Sequence, residues 1–163
     1  MERKCHDLTL TFRESGASVC RELDFGIETI REIENKIKAE TLLTFGAVYG
    51  DDEWAIDVSC EGNFSYIVII EIETGTTYTF LNSQYSDLLE HYNSLPNIFI
   101  CSNMDDFEQD EKNSTALTTF EINGTDCPLL HICKDKDKLF EIIRDFINSG
   151  SLFAGAMWLR NGE

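Results

Sequence analysis

At 163 residues the chain has the length of one ordinary domain and can bury about 70% of its unfolded surface, so residues 1–163 are read as a single domain. Thirteen Lys and Arg against 30 Asp and Glu leave a net charge of −17. Such a surface repels phosphate backbones and anionic membranes and favours a basic protein partner. Disorder is excluded as well, because 42% of the residues are hydrophobic and 11% aromatic, too apolar for an unfolded chain.

The start, Met1 to Asp7, runs into alternating strand-like sequence with no continuous apolar stretch and no small-residue cleavage site, so a cytoplasmic protein is expected. The longest apolar run, Tyr66 to Ile70, is far short of the roughly 20 residues that span a bilayer. Cys5, Cys20, Cys60, Cys101, Cys127 and Cys133 are dispersed, mostly within apolar segments, and are read as reduced, buried thiols.

Leu8, Leu10 and Phe12 alternate with polar residues, the period of a first strand with one buried face. From Asp24 to Ala39 the period lengthens, with Ile27, Ile30, Ile33 and Ile37 spaced three and four apart. That is an amphipathic helix with Asp24 as expected N-cap. Leu43, Phe45, Ala47 and Tyr49, then Trp54, Ile56, Val58 and Cys60, alternate on either side of the turn cluster Gly50-Asp51-Asp52-Glu53, which predicts a hairpin with an acidic turn. The β-branched run within Phe64 to Ile72 predicts a central strand buried on both faces. A Thr- and aromatic-rich strand follows over Thr76 to Leu81, then a short helix within Asp87 to Tyr92 that Pro96 ends, and a strand over Ile98 to Cys101.

Asn103 to Asn113 reads as a solvated acidic loop. Thr115 to Ile122 and Pro128 to Cys133 flank the turn signal Asn123-Gly124 and predict a second hairpin. The last helix has Leu139, Ile142, Ile143, Phe146 and Ile147 on one face and Gly150 just past its end, and Ala156 to Leu159 return as a strand. Runs of strands with one early and one late helix imply an α+β fold: a mainly antiparallel sheet of about six to eight strands, with two amphipathic helices packed against it.

Motifs for chemistry are sparse. Asp106, Glu108 and Asp110 have the spacing that opens an EF-hand loop, but its sixth place is Glu111 rather than Gly and its twelfth is Leu117 rather than Glu. Cys127, His131 and Cys133 lack zinc-site spacing and are read as buried thiols and a satisfied histidine. No nucleophile elbow, phosphate loop, metalloprotease helix or dinucleotide fingerprint occurs, so no enzyme, metal or cofactor is expected. Most helical acids have basic neighbours, but Asp51, Asp52 and Glu53, and Asp105, Asp106, Glu108, Asp110 and Glu111, are loop-borne and nearly uncompensated. The second group includes an apolar Phe107. Charge around an aromatic anchor is the make-up of an electrostatically steered protein interface, so these nine residues are the candidate contact set.

Phe120-Glu121-Ile122-Asn123-Gly124-Thr125, Pro128 opening the next segment, the helix ending Asp145-Phe146-Ile147-Asn148-Ser149-Gly150, and Ala156-Met157-Trp158 together resemble the small cytosolic immunity proteins of bacterial polymorphic-toxin and contact-dependent growth inhibition systems. In layout the resemblance spans roughly residues 24 to 160, in motif only 120 to 158. It implies a non-catalytic α+β protein that binds and neutralises one cognate toxin domain, often a nuclease or deaminase. Such toxins act on nucleic acid through a basic surface that an acidic inhibitor can occupy. Gly150 and Trp158 are the matched positions, and both are expected to serve the fold. The alternative is an acidic adaptor or nucleic-acid mimic for another basic protein.

Overall fold

A computed structural model of the chain describes residues 4–95, 98–100 and 114–161. In chain order it contains β1 (Cys5–Glu14), β2 (Ala17–Leu23), α1 (Ile27–Lys38), β3 (Leu42–Tyr49), β4 (Trp54–Glu61), β5 (Phe64–Glu71) and β6 (Thr76–Leu81). A 3-10 stretch (Ser83–Tyr92), β7 (Asn93–Leu95), β8 (Ile98–Ile100), α2 (Ser114–Leu117), β9 (Thr119–Ile122) and β10 (Thr125–Pro128) follow. The chain then forms a 3-10 turn (Leu129–His131), β11 (Ile132–Cys133), α3 (Lys136–Ser149) and β12 (Met157–Asn161).

The fold is α+β. One mostly antiparallel sheet runs β2-β1-β3-β4-β5-β6-β12-β8-β7, with β11 paired beside the start of β5, while β9 and β10 form a separate hairpin. Only β12 and β8 run parallel among these pairs. At ten strands the sheet is wider than the six to eight expected. Strands not expected are β2, whose seven residues are exposed or half-buried and show no apolar period, and the short β7.

Helices α1 and α3 cover one face. Ile33 and Ile37 of α1 and Leu139, Ile142, Ile143, Phe146 and Ile147 of α3 share a core with Leu10, Phe12, Phe45, Val58, Ile67, Ile69 and Trp158 from the strands. Two irregularities tune this face. Asp7 takes φ 54° where the β1–β3 register slips between His6 and Thr9, a bulge that lets Cys5 and Leu8 both point inward. A second slip, at Thr11 and Phe12, buries Leu42 in place of the expected Leu43.

The cap of α1 also departs from expectation. Gly26, not Asp24, holds the N-cap position; the Asp24 carbonyl instead accepts from the Thr29 hydroxyl, and Ile27 lies outside the core. In α3 the Asp135 carboxylate accepts from the backbone N–H groups of Asp137 and Lys138, and Gly150 closes the helix at φ 65° as expected.

The other face is only partly covered. Tyr85, Ala116 and Leu130 pack on Leu81, Phe99 and Leu159. The β9–β10 hairpin sets Ile122, Phe120 and Cys127 against Phe64 and Tyr66. Consequently β5 is buried towards the helices through Ser65, Ile67 and Ile69 but half-buried on its other side, not buried on both. The Asn123-Gly124 turn forms as expected, with φ of 50° and 83°. Its second strand is Thr125–Pro128, however, and the expected strand over 128 to 133 is broken: Pro128, which has no N–H to donate, leads into the 3-10 turn. The short helix expected within 87 to 92 is the latter part of the 3-10 stretch. Cys5, Cys60, Cys127 and Cys133 are free and buried, but the Cys20 thiol on edge strand β2 is exposed, contrary to expectation.

Candidate functional site: the acidic end of the sheet

The strand registers bring distant acids to one end of the molecule. Leu23 pairs with Leu8 and Cys5 with Tyr49; Tyr49 pairs with Trp54, Trp54 with Glu71 and Glu71 with Thr76. The start of β1, the β2–α1 corner, the β3–β4 turn and the β5–β6 turn therefore meet at the same end. Asp7, Asp24, Glu28, Asp51, Asp52, Glu53 and Glu73 occupy it. At the opposite end, where the Arg13 N–H donates to the Thr41 carbonyl, Lys38 pairs with Glu34 and Lys136 with Glu40, each at 2.6 Å. Acids and bases are thus paired at that end, whereas at the first only Lys4 and His6 of the described bases stand among the acids.

The β3–β4 turn is held by backbone at each corner. Gly50 N donates to the Lys4 carbonyl at 3.1 Å, Glu53 N to Tyr49 at 3.2 Å, and Ile72 N to the Glu53 carbonyl at 3.1 Å. Gly50 and Asp52 take φ of 70° and 55°, and a Cβ on Gly50 would stand 3.1 Å from the Glu53 side chain. Asp51 and Asp52 are exposed and make no ion pair among the described residues. His6 stands beside them, its Nε2 at 2.9 Å from the Gly50 carbonyl and its Nδ1 at 3.0 Å from the Asp7 carboxylate. Both contacts become hydrogen bonds only when each ring nitrogen carries a proton. The Gly50 carbonyl accordingly pushes the His6 pKa up, assisted by Asp7 and Asp52.

A groove of about 720 Å³ leads from this end along the uncovered sheet face. Asp7, Val48 and Ala55 line it near the acidic end, Thr9, Gly46 and Asp57 lie level with one another midway, and Tyr66, Ile122, Thr125 and Cys127 form the far wall. That wall stands because the β9–β10 hairpin arches over the sheet, and the Asn123 amide at its tip donates to the Leu43 carbonyl at 2.9 Å. Desolvation raises the pKa of Asp57, Tyr66 and Cys127 alike. The Cys127 thiol donates to the Thr125 carbonyl at 3.6 Å and packs with Ile122 and Ile132. Asp57 has no cationic partner among the described residues, so the groove favours a cationic or neutral group over an anion.

Of the candidate contact set, Asp51, Asp52 and Glu53 lie at this end, Glu53 half-buried. Asp105, Asp106, Phe107, Glu108, Asp110 and Glu111 lie outside the described residues. Strand pairing brings Asp7, and the β2–α1 corner with Asp24 and Glu28, to the same end of the sheet as the turn; they were missed because each stands alone in the sequence. The spacing of Leu8, Leu10 and Phe12 offered no sign of the bulge that exposes Asp7. Cys127, His131 and Cys133 do not converge as ligands. His131 is buried, its Nδ1 2.9 Å from the Phe80 carbonyl, and desolvation lowers its pKa. Cys127 lies in β10 rather than in the turn. No group of three or more His, Cys, Asp or Glu that could hold a metal occurs among the described residues.

The two positions matched by the resemblance serve the fold. Gly150 caps α3, and Trp158 is buried edge-on to Phe80 with its Nε1–H donating to the Phe153 carbonyl at 3.1 Å. Among the described residues no helix is long and apolar enough to cross a membrane. Comparison with family models, curated proteins and solved structures returns no match to this chain.

Proposed function

We propose that the chain is an immunity protein, which binds a cognate secreted bacterial toxin domain with a basic surface, a nuclease or deaminase, and neutralises it in the cytoplasm. The observation that carries the reading is the gathering of acids at one end of the sheet, with Asp51 and Asp52, neither in an ion pair among the described residues, presented on a backbone-pinned turn. A rigid acidic surface speeds encounter with a basic partner and competes with phosphate for it. Further support comes from the net charge of −17 and from the helix, glycine and tryptophan ending that resembles immunity proteins. The groove that leads from this end, with the Asp57 carboxylate in its lining, is open to a partner's side chain.

The test is co-expression with the product of the adjacent gene, scoring rescue from toxicity and a co-purifying complex. Rescue together with a stoichiometric complex is the expected result. Failure of both, with capture of a different basic protein, favours the acidic adaptor.

A further inference from the structure

The large apolar side chains left open to water among the described residues are Phe25, Ile27 and Ile72, at 46%, 71% and 40% exposure. All three lie at the acidic end, and two of them, Phe25 and Ile27, flank Gly26 at the β2–α1 corner. The stripe of α1 explains the geometry. Ile33 and Ile37 enter the core and Ile30 packs at its margin, but Ile27, in the first turn, stays outside it. A concavity of about 480 Å³ there is lined by Asp24, Phe25, Ile27, Glu28 and Glu32. Arg21 engages Glu32, while Asp24 and Glu28 have no ion pair among the described residues.

An isoleucine and a phenylalanine exposed on either side of one glycine forgo much of the burial that stabilises such residues elsewhere. Packing has no use for them, but an interface does: apolar anchors desolvated at the centre of a charged rim supply most of the binding energy of many complexes. We infer that Phe25 and Ile27 are the apolar anchor of the acidic end, seated on docking in an apolar pocket of a basic protein whose rim of Lys and Arg faces Asp24 and Glu28. The inference rests on the proposed reading of a basic partner. Charge complementarity selects that occupant, since a second copy, itself of net charge −17, would bring its own Asp24 and Glu28 against these.

The experiment titrates the adjacent gene's toxin domain with the wild-type chain, with Phe25→Ser, Ile27→Ser and the double variant, and with Asp51→Asn/Asp52→Asn. Urea midpoints are measured for each chain. The double apolar variant is expected to weaken binding by about 30-fold or more, mainly through faster dissociation, with its urea midpoint unchanged; hot-spot truncations cost more than about 1 kcal/mol each and 1.4 kcal/mol is tenfold. Binding within threefold of wild type, while Asp51→Asn/Asp52→Asn slows association, overturns the anchor and leaves the immunity reading standing. A lowered urea midpoint marks the two residues as packing groups and also overturns it. Self-association of the wild type that the double variant abolishes makes the patch a self-interface, against the inference. Absence of any complex with the wild type refutes the immunity reading, and the anchor with it.

Discussion

Replacing Gly150 by Ala tests how the last helix is joined to the acidic turn. Gly150 sits at φ 65°, and its N–H donates to the Phe146 carbonyl at 2.8 Å. A Cβ there would overlap Cγ and Cδ1 of Tyr49 and stand 2.7 Å from Cε1. Those atoms lie near the root of the side chain, and the ring is held edge-on to Phe146 at 6.4 Å, so it has little freedom to withdraw. The left-handed conformation costs an alanine roughly 1 to 2 kcal/mol, and overpacking a filled site adds about 1 to 3 kcal/mol, giving about 2 to 5 kcal/mol in all. Gly16→Ala is the control. Its φ is 82° and no atom lies within 4 Å of the added carbon, so only the roughly 1 to 2 kcal/mol conformational part applies. The reduced entropy of the unfolded chain is common to both variants and cancels in the comparison. Equilibrium urea unfolding should show the larger midpoint loss for Gly150→Ala, and the gap should narrow when Tyr49 is also Ala. Equal losses for the two glycines would refute the packing argument.

Three further outcomes follow from local geometry. Asn123→Asp removes the amide donor to the Leu43 carbonyl while keeping a residue that tolerates the turn conformation. It should cost about 0.5 to 1.5 kcal/mol in urea and speed amide exchange in the β9–β10 hairpin, whereas unchanged exchange would mean that the tip is not what holds the groove wall. Asp135→Ala should destabilise by about 0.5 to 2 kcal/mol, and Asp24→Ala should leave α1 little changed because Asp24 is not its cap; urea midpoints in the reverse order would contradict both assignments. The two histidines respond oppositely to pH. His6, with a raised folded pKa, contributes its contacts below about pH 6.5 and loses them as pH rises through the folded value; His131, with a lowered one, costs stability as pH falls below about 6.5. NMR titration should find His6 protonated at higher pH than His131.

Periodicity made the elements with a strong one-sided apolar pattern legible. The stripe over Leu139 to Ile147 and the alternation through Ile56, Val58 and Cys60 are buried as the spacing requires. Asn123-Gly124 marked its turn, since few other pairs accept two successive positive φ values. What escaped were features set by neighbours rather than by local pattern. Strand β2 pairs with β1 yet buries too little to show a period, and a bulge moves Asp7 to the groove while returning Leu8 to the core. Ile27 belongs to the stripe in sequence but lies in the first turn of α1, outside the core. The acidic turn was legible as a cluster at Asp51, Asp52 and Glu53. Its larger context was not, because the acids at Asp7, Asp24 and Glu28 are brought to the same end of the sheet only by the order of the strands.

The central claim, that the acidic end of the sheet captures a basic toxin domain, is tested most directly by the association rate with the adjacent gene's toxin at increasing salt. Association should be fast at low ionic strength, fall steeply as screening shortens the Debye length from about 30 Å at 0.01 M to about 8 Å at 0.15 M, and be slower with a shallower profile for Asp51→Asn/Asp52→Asn. A rate that ignores both salt and these two substitutions would contradict the claim.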